Sequence, residues 1–594
     1  MLLKILKGDY LLIKNGRIIV RFFSIFQKKI VSKNNIISIN HVNNLAYSYR
    51  KNSGEVFNNF LDQLKKNISN SYYEIILSSS GLIKSSYFDK LLWSSEKVAY
   101  LKNQNIYIDK NDSILSRAAY FSFKKKKIII FGSSSSYSTF SYINKSFLWF
   151  LIELFRTIKE SIKRLGYSNK RVISTDIMIV VSQPYQYIRL EGLIKALIND
   201  KKMSITIASP LNIIKTNQIN SPNIRYENIN SFRDSRTLFK TYLSIFSYWS
   251  SLKYVKKISK KFENLKVLDA LLIESFIKWH YDHINILART EILAKKMLHQ
   301  VNPSMIYSID GSDFFVRIFE KLSHENDLPT YCLPFAFLDE SEQNWTKRSK
   351  ARYGAINKGS SKLVKELTGS IYDVDVIGDP FYDNFYCNDS QISAMKANIG
   401  ISDTDKIIAF NSFPSTLNKI GYSDAQYLKN EYELMLRRVI EVSITNGYHI
   451  IIKPHPVDNN NIKHIVNSFL QKERIHIVND VNSLEMISIA DIIVGVHSKV
   501  AFETILLNKK YLLLQWSNLP DIMKLIEYKV CNVSFGPEDL DLNLDSLLNV
   551  DYEKNYMIRR ENYLKNMYVY PYDKCLDRLL KVFVKIIEKP SHLS

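Results

Sequence analysis

The sequence predicts an α/β protein with two doubly wound domains of mainly parallel strands facing a cleft, preceded by an N-terminal α/β extension. Three observations predict this. Short apolar runs bounded by polar residues recur from Asp176 onward, as buried parallel strands do. These runs alternate with stretches of helical periodicity, the pattern of a parallel sheet covered by helices. The alternation also comes in two series, one on each side of Val374-Asp375-Val376-Ile377-Gly378-Asp379-Pro380. In such domains ligands lie outside the carboxyl ends of the strands. The residues that end each strand are therefore the candidates for chemistry.

In the extension, residues 1–170, Tyr73–Leu77 and Lys127–Phe131 read as strands ending in serine-rich turns, Ser78–Gly81 and Gly132–Ser136. The second turn could hold an anion on backbone N–H groups, but no Lys-Ser/Thr follows it, so a surface loop is the better reading. The first regular domain is expected over 171–375. Ile177–Val181 is its first strand, a helix follows over about 189–199, and Ser204–Ala208 is the next strand, a right-handed crossover unit. Residues 230–300 read as a helical insertion, and Met305–Ile309 and Thr330–Leu333 as further strands. The second domain, 376–594, begins with Lys406–Phe410 and continues through a helix over about 425–445 and the strand His449–Ile452. The strands Ile475–Val478, Ile492–Val496 and Tyr511–Leu514 follow, and helices close the chain.

Composition narrows the function classes. The 594 residues are 46% hydrophobic and 12% aromatic, which gives ample core and excludes global disorder. Net charge is +23, from 81 basic and 58 acidic residues, and implies a polyanionic partner such as a phosphorylated substrate or an anionic membrane face. Heavy use of Lys, Asn and Ile throughout is a competing, purely compositional source of that charge. The basic run Lys124–Lys127 lacks interleaved aromatics, so no nucleic-acid partner is expected. The four cysteines, Cys332, Cys387, Cys531 and Cys575, are far apart and form no metal-ligand spacing. No metal and no cofactor are expected. No signal peptide or spanning segment is legible, so a cytoplasmic location is expected, with contact at the inner face of the membrane. Ser146–Arg156 is an aromatic-rich, basic-flanked amphipath that either meets a membrane surface or packs on its own protein.

Two strand ends carry the functional signal. Ile450–Ile452 runs into Lys453-Pro454-His455-Pro456, and Ile492–Val496 runs into His497 and Ser498, with Ser498 opening a helix that bears Glu503. A cation, an imidazole, a hydroxyl and a helix N-terminus on adjacent strand ends form a cradle for a nucleotide phosphate. In the first domain, Asp310-Gly311 ends a strand and offers a carboxylate to the cleft, with Asp313 close enough to replace it. Each has a plainer reading. Lys-Pro-His-Pro terminates strands, Asp-Gly makes turns, and Glu503 fits a solvated helix face. His497 is expected to point away from Ser498. Asp373-Val374-Asp375 has the form of a metal motif but reads better as the start of a strand.

These pieces resemble a known group. Val376–Asp383 with its Gly378 turn, Lys453–Pro456, and Ser498 with Glu503 occur in the order found in GT-B glycosyltransferases of bacterial surface polysaccharides. The resemblance spans about 175–540 and takes in capsule Kdo-type transferases, sialyltransferases with a His-Pro motif, and CDP-glycerol transferases. It implies that His455 and Ser498 contact the donor phosphate and that Glu503 lies near the nucleotide ribose. In the sialyltransferases an acidic-acidic-Gly motif supplies the base; Ile309-Asp310-Gly311 lacks the first acid. The implied activity is metal-independent, inverting transfer from a nucleotide-sugar donor, with a CMP-linked acid sugar first, to a glycan or lipid-linked glycan acceptor. A CDP-glycerol-type phosphotransferase and a non-catalytic scaffold with this fold are the rivals.

Overall fold

The computed structural model describes strands at 9–14, 17–22, 105–109 and 129–131, residues 151–159 without 153, and 174–588 with interruptions at 211–218, 260–266, 312, 335–350, 369–373, 384–386, 414–428, 456–461, 480–481, 517–520, 522, 548–549 and 570–573. In the extension, β1 (Asp9–Lys14) and β2 (Arg17–Phe22) pair antiparallel, and β3 (Asn105–Asp109) and β4 (Ile129–Phe131) add in parallel. β4 is the expected strand after the basic run. The expected strand 73–77, both serine-rich turns and Lys124–Lys127 lie outside the described residues.

The first domain runs β5 (Thr175–Val180), α1 (Pro184–Asn199), β6 (Ile205–Ser209), β7 (Ile224–Asn228), α2 (Ser235–Ser259), α3 (Val267–Val301), β8 (Pro303–Ser308), α4 (Phe314–His324), β9 (Thr330–Cys332), β10 (Arg352–Ala355), α5 (Lys358–Thr368) and β11 (Asp375–Val376). Its seven strands are all parallel, in the order β11-β10-β9-β8-β5-β6-β7. β7 and β10 escape the sequence reading because neither is an apolar run. β7 reads Ile, Arg, Tyr, Glu, Asn at the sheet edge, with only Ile224 and Glu227 buried.

The second domain runs α6 (Asp389–Asn398), β12 (Ile407–Asn411), α7 (Lys429–Thr445), β13 (His449–Lys453), α8 (Ile462–Val466), β14 (Ile475–Ile477), α9 (Ser483–Ile489), β15 (Ile492–Gly495), α10 (Lys499–Leu506), β16 (Lys510–Leu514), β17 (Asn532–Ser534), α11 (Leu540–Leu547) and α12 (Val550–Met567). The order is β14-β13-β12-β15-β16-β17, again all parallel. Both sheets thus wind out one way from their first strand and then restart on its other side. Each has a switch point, β5/β8 in the first and β12/β15 in the second, where a crevice opens at the carboxyl ends. This also corrects one expectation: β13 and β15 are not neighbours, because β12 lies between them.

α13 (Cys575–Glu588) returns to the first domain, although the division at 376 groups the C-terminal helices with the second. Cys575, Leu579, Phe583 and Ile586 recur at helical spacing and are buried. Leu579, Phe583 and Ile586 join the core beneath the first sheet, where the Phe583 ring lies 4.9 Å from Tyr307 and 6.0 Å from Tyr331, while Cys575 packs into the core of the second domain. The outgoing linker after β11 and the returning helix are tied together. Asp383 accepts from the N–H groups of Cys575 (3.0 Å) and Leu576 (2.7 Å), capping α13, and Arg578 donates to the Ile377 carbonyl at 2.9 Å. None of the four cysteines forms a disulfide. Among the described residues no helix is long and apolar enough to cross a membrane.

Candidate active site

The donor side is built by strand parity. Ile407, Ala409, Ile451 and Ile493 face one core, while Ile408, Phe410, Ile450, Ile452, Ile492 and Val494 face the other. Continuing the alternation puts Asn411, Lys453 and Gly495 on the first face, the one covered by α10. Lys453 therefore lies on the α10 face, in register with Asn411. Gly495 has no side chain because none fits: a Cβ there would meet the Tyr511 hydroxyl at 2.7 Å and the Asn411 Cβ at 3.4 Å. Ser498 is the N-cap of α10, yet its hydroxyl makes no capping bond to the helix. It accepts from the Asn411 amide at 3.4 Å, across the β12/β15 switch point. Asn411 was missed in the sequence; its only signal was that it ends a buried strand.

His455 follows Lys453 by two residues and is half-buried, beyond the end of β13. Pro456 lies outside the described residues. With β12 between them, the ends of β13 and β15 are two strand spacings apart, roughly 10 Å. Lys453 and His455 thus stand on one side of Asn411, and Ser498 with the α10 N-terminus on the other.

Glu503 and His497, near Ser498 in sequence, are both directed away from the cradle. Glu503 is 4% exposed and accepts from the Tyr382 hydroxyl at 2.9 Å, so it supports the helix from beneath instead of meeting a ribose. Burial raises its pKa against the pull of Lys499 and Arg189. His497 is buried and its Nε2 lies 2.8 Å from the Gln515 Oε1. Burial lowers its pKa, with Asp521 opposing.

On the acceptor side, Asp310 stands two residues beyond the end of β8 and accepts from the Gln186 amide at 3.2 Å. Gln186 stands in the first turn of α1, where its Oε1 also takes the N–H groups of Ser182 (2.7 Å) and Gln183 (3.2 Å). The turn after β5 thereby orients an amide toward Asp310 across the β5/β8 switch point. Gly311 is buried beside it. Asp313 is committed to capping α4, accepting from Phe315 N–H at 2.7 Å, which disfavours it as a substitute base.

Between the two sides runs a buried ionic bridge that sequence reading missed. The linker's Asp379 Oδ2 accepts from Arg189 of α1 and, at 3.0 Å, from Lys499 of α10. Arg189 also lies 4.2 Å over the Phe381 ring, and Lys499 lies 5.3 Å from the Tyr382 ring centroid. The Asp379 N–H donates to the Tyr568 hydroxyl at 2.7 Å. Burial opposes the Asp379 charge, but Lys499 and Arg189 hold its pKa below the ordinary carboxylate value. Burial pushes Lys499 down to about 8 despite Asp379. Gly378, a candidate support of the donor site, has φ +85° and sits against Cys575 and Val569 at the crossing of linker and α13. Asp375, the end of the DxD-like triplet, pairs with Arg352 at 2.9 Å. Among the described residues no cluster of His, Cys, Asp and Glu suits a metal.

Residues 340–517 match the family described as CDP-Glycerol:Poly(glycerophosphate) glycerophosphotransferase. That segment holds Asp379, Asn411, Lys453, His455, Ser498 and Lys499, the whole donor side, while Asp310 lies before it. No curated protein is similar enough to count as a match. Among solved structures, a UDP-N-acetylglucosamine 2-epimerase is 10% identical over 69% of this chain and 96% of its own, with a TM-score of 0.46. The wall teichoic acid polymerase TagF is 10% identical over 75% and 99%, with a TM-score of 0.43. A glycosyltransferase from Rickettsia africae is 12% identical over 71% and 100%, with a TM-score of 0.43. The fold assignment rests on the two sheets themselves: both are doubly wound, and the last helix crosses back to the first. With that GT-B architecture and the matched donor segment, the chain is an enzyme of the nucleotide-dependent transferase type.

Proposed function

We propose that the enzyme transfers a polyol phosphate of the glycerol phosphate kind from a CDP-linked donor to a hydroxyl of a growing surface polymer, releasing CMP. The observation that carries this is the glycerophosphotransferase match over 340–517, because it covers the donor cradle. The geometry supports it as well. The strand that carries Lys453 and His455 and the strand that leads to Ser498 are separated by β12, a spacing of roughly 10 Å. That spread suits two linked phosphates, one toward each end, better than one phosphate held between them. The CMP-linked acid sugar suggested by the motifs is correspondingly less favoured.

In this reading the acceptor oxygen attacks the phosphorus that bears the polyol. The bond from that phosphorus to the bridging oxygen breaks, and the electron pair leaves with CMP. Asp310 takes the acceptor proton, and Gln186 orients its carboxylate. Lys453 and His455 on one side and the α10 N-terminus at Ser498 on the other hold the two linked phosphates and meet the charge that develops as they part. The acceptor is a lipid-linked or growing glycan-type polymer at an anionic membrane face. Its support is a stripe on α2, Phe239, Leu243 and Phe246, at 63%, 52% and 47% exposure, beside exposed Arg236 and Lys240.

The test is incubation with CDP-glycerol and a polyol phosphate acceptor, with CMP release and the product linkage followed by phosphorus NMR. A phosphodiester product is expected. His455→Ala should lower kcat/KM by about 10²–10³ with an unchanged melting temperature. Full activity in that variant sinks the site, and a purely glycosidic product from a nucleotide sugar sinks the donor class.

A further inference from the structure

We propose that Arg189, Asp379 and Lys499 form a clasp that sets the distance between the acceptor-side acid and the donor-side helix, so that all three are positioning residues for transfer. The inference rests on the reading of Asp310 and Ser498 given above. Its basis is a continuous chain of contacts. Asp310 is held by Gln186. Gln186 and Arg189 are three residues apart on α1, so they occupy the same helix face. Arg189 and Lys499 grip the same oxygen of Asp379. Lys499 is the first residue of α10, directly after Ser498. One cation therefore comes from each domain, and the shared anion comes from the linker that joins them.

The location gives the clasp leverage. Asp379 follows Gly378 at the point where the linker meets the returning α13, and its own N–H is held by Tyr568 of the second domain. Its other carboxylate oxygen accepts from Phe381 N–H at 3.1 Å, which fixes the turn Pro380–Tyr382. The groups around Lys499 are Asp379 and Tyr382 from the linker, Arg189 from α1 and Glu503 from its own helix. The side chains of Arg189 and Asp379 are 14% and 8% exposed, so water screens this bridge far less than a surface pair. Misplacing two reacting groups by about 1 Å is enough to slow a reaction roughly 10²-fold. A bridge spanning the linker controls that separation.

Asp379→Asn keeps the size of the side chain and removes the charge that both cations share. The expected result is CDP affinity within about 2-fold of wild type, measured by calorimetry, with kcat for transfer lowered about 10- to 100-fold. Lys499→Arg keeps the cation and should retain activity above pH 8, where the wild type declines. Unchanged kcat in Asp379→Asn overturns the proposal. So does a parallel loss of CDP affinity, which would make Asp379 a donor ligand. Should Asp379→Asn fail to fold, Arg189→Lys carries the same test, because it keeps the charge but loses the planar fork. A second arm is independent of the donor reading. Spin labels on Lys195→Cys and Lys472→Cys, with Cys387→Ser, report the distance between domains. Asp379→Asn should lengthen or broaden it, and an unchanged distribution overturns the clasp. If the wild type releases no CMP from CDP-glycerol, the functional reading fails while this arm still decides the clasp.

Discussion

Gly378→Ala offers the sharpest test of how the two domains are joined. Gly378 adopts φ +85°, and a Cβ built there would stand 2.3 Å from Cys575 Sγ and 2.5 Å from Val569 Cγ1. Two separate terms follow. Placing an L-residue in the left-handed region costs roughly 1–2 kcal/mol. Forcing a methyl group into a filled contact adds roughly 1–3 kcal/mol. The sum, about 2–5 kcal/mol, falls on the crossing of the linker and α13. A chain with several cores does not unfold as one two-state unit, so the loss is best read locally. Amide exchange at Ile377, Asp379 and the first turn of α13 should accelerate by roughly 30-fold or more, against little change in β13 and β15. Adding Cys575→Ala relieves part of the packing term, because it removes the Sγ but leaves Val569 Cγ1 at 2.5 Å, a Cβ at 3.3 Å and the φ unchanged. The double variant should recover about 1 kcal/mol, a coupling that distant sites do not show. A change below about 0.5 kcal/mol in Gly378→Ala, or strict additivity with Cys575→Ala, would refute the packing argument.

Asp310 and Asp313 should separate cleanly. Asp310→Asn is expected to reduce kcat about 10²–10⁴-fold without loss of stability, as removal of a general base does. Asp313→Ala should leave kcat close to wild type and cost about 0.5–2 kcal/mol through the lost cap of α4; steady-state kinetics and urea titration on both variants decide it. The acid limb of stability tests the charge on Asp379. Its folded pKa lies below the ordinary carboxylate value, so its contribution is fully present above about pH 4 and disappears as pH falls through the folded value. The stability gap between wild type and Asp379→Asn should therefore narrow below about pH 4, and a gap constant down to pH 2 would count against an ionised, paired Asp379.

Much of the architecture was legible because buried parallel strands announce themselves. Ile177–Val181, Ile407–Phe410, Ile450–Ile452 and Ile492–Val494 are apolar on both faces, and nothing but the interior of a doubly wound sheet accommodates such runs. The strands of the two domain sheets that went unseen, β7, β10 and β17, are short or lie at edges, where the apolar pattern weakens; β1, β2 and β3 of the extension went unseen as well.

Local chemistry alone placed Lys453, His455, Ser498 and Asp310 at strand ends, since a strand that leaves the core must end in polar residues and these were the ones present. It could not order the strands. Hydrogen bonding between distant segments set β12 between β13 and β15, brought Asn411 to Ser498, and turned Glu503 inward onto Tyr382. The same long-range packing carried α13 back to the first core and drew Arg189, Asp379 and Lys499, more than a hundred residues apart at each step, onto one carboxylate. A sequence pattern reports which face of an element is apolar; which elements meet is settled by the apolar area and paired charge that only the assembled chain can bury.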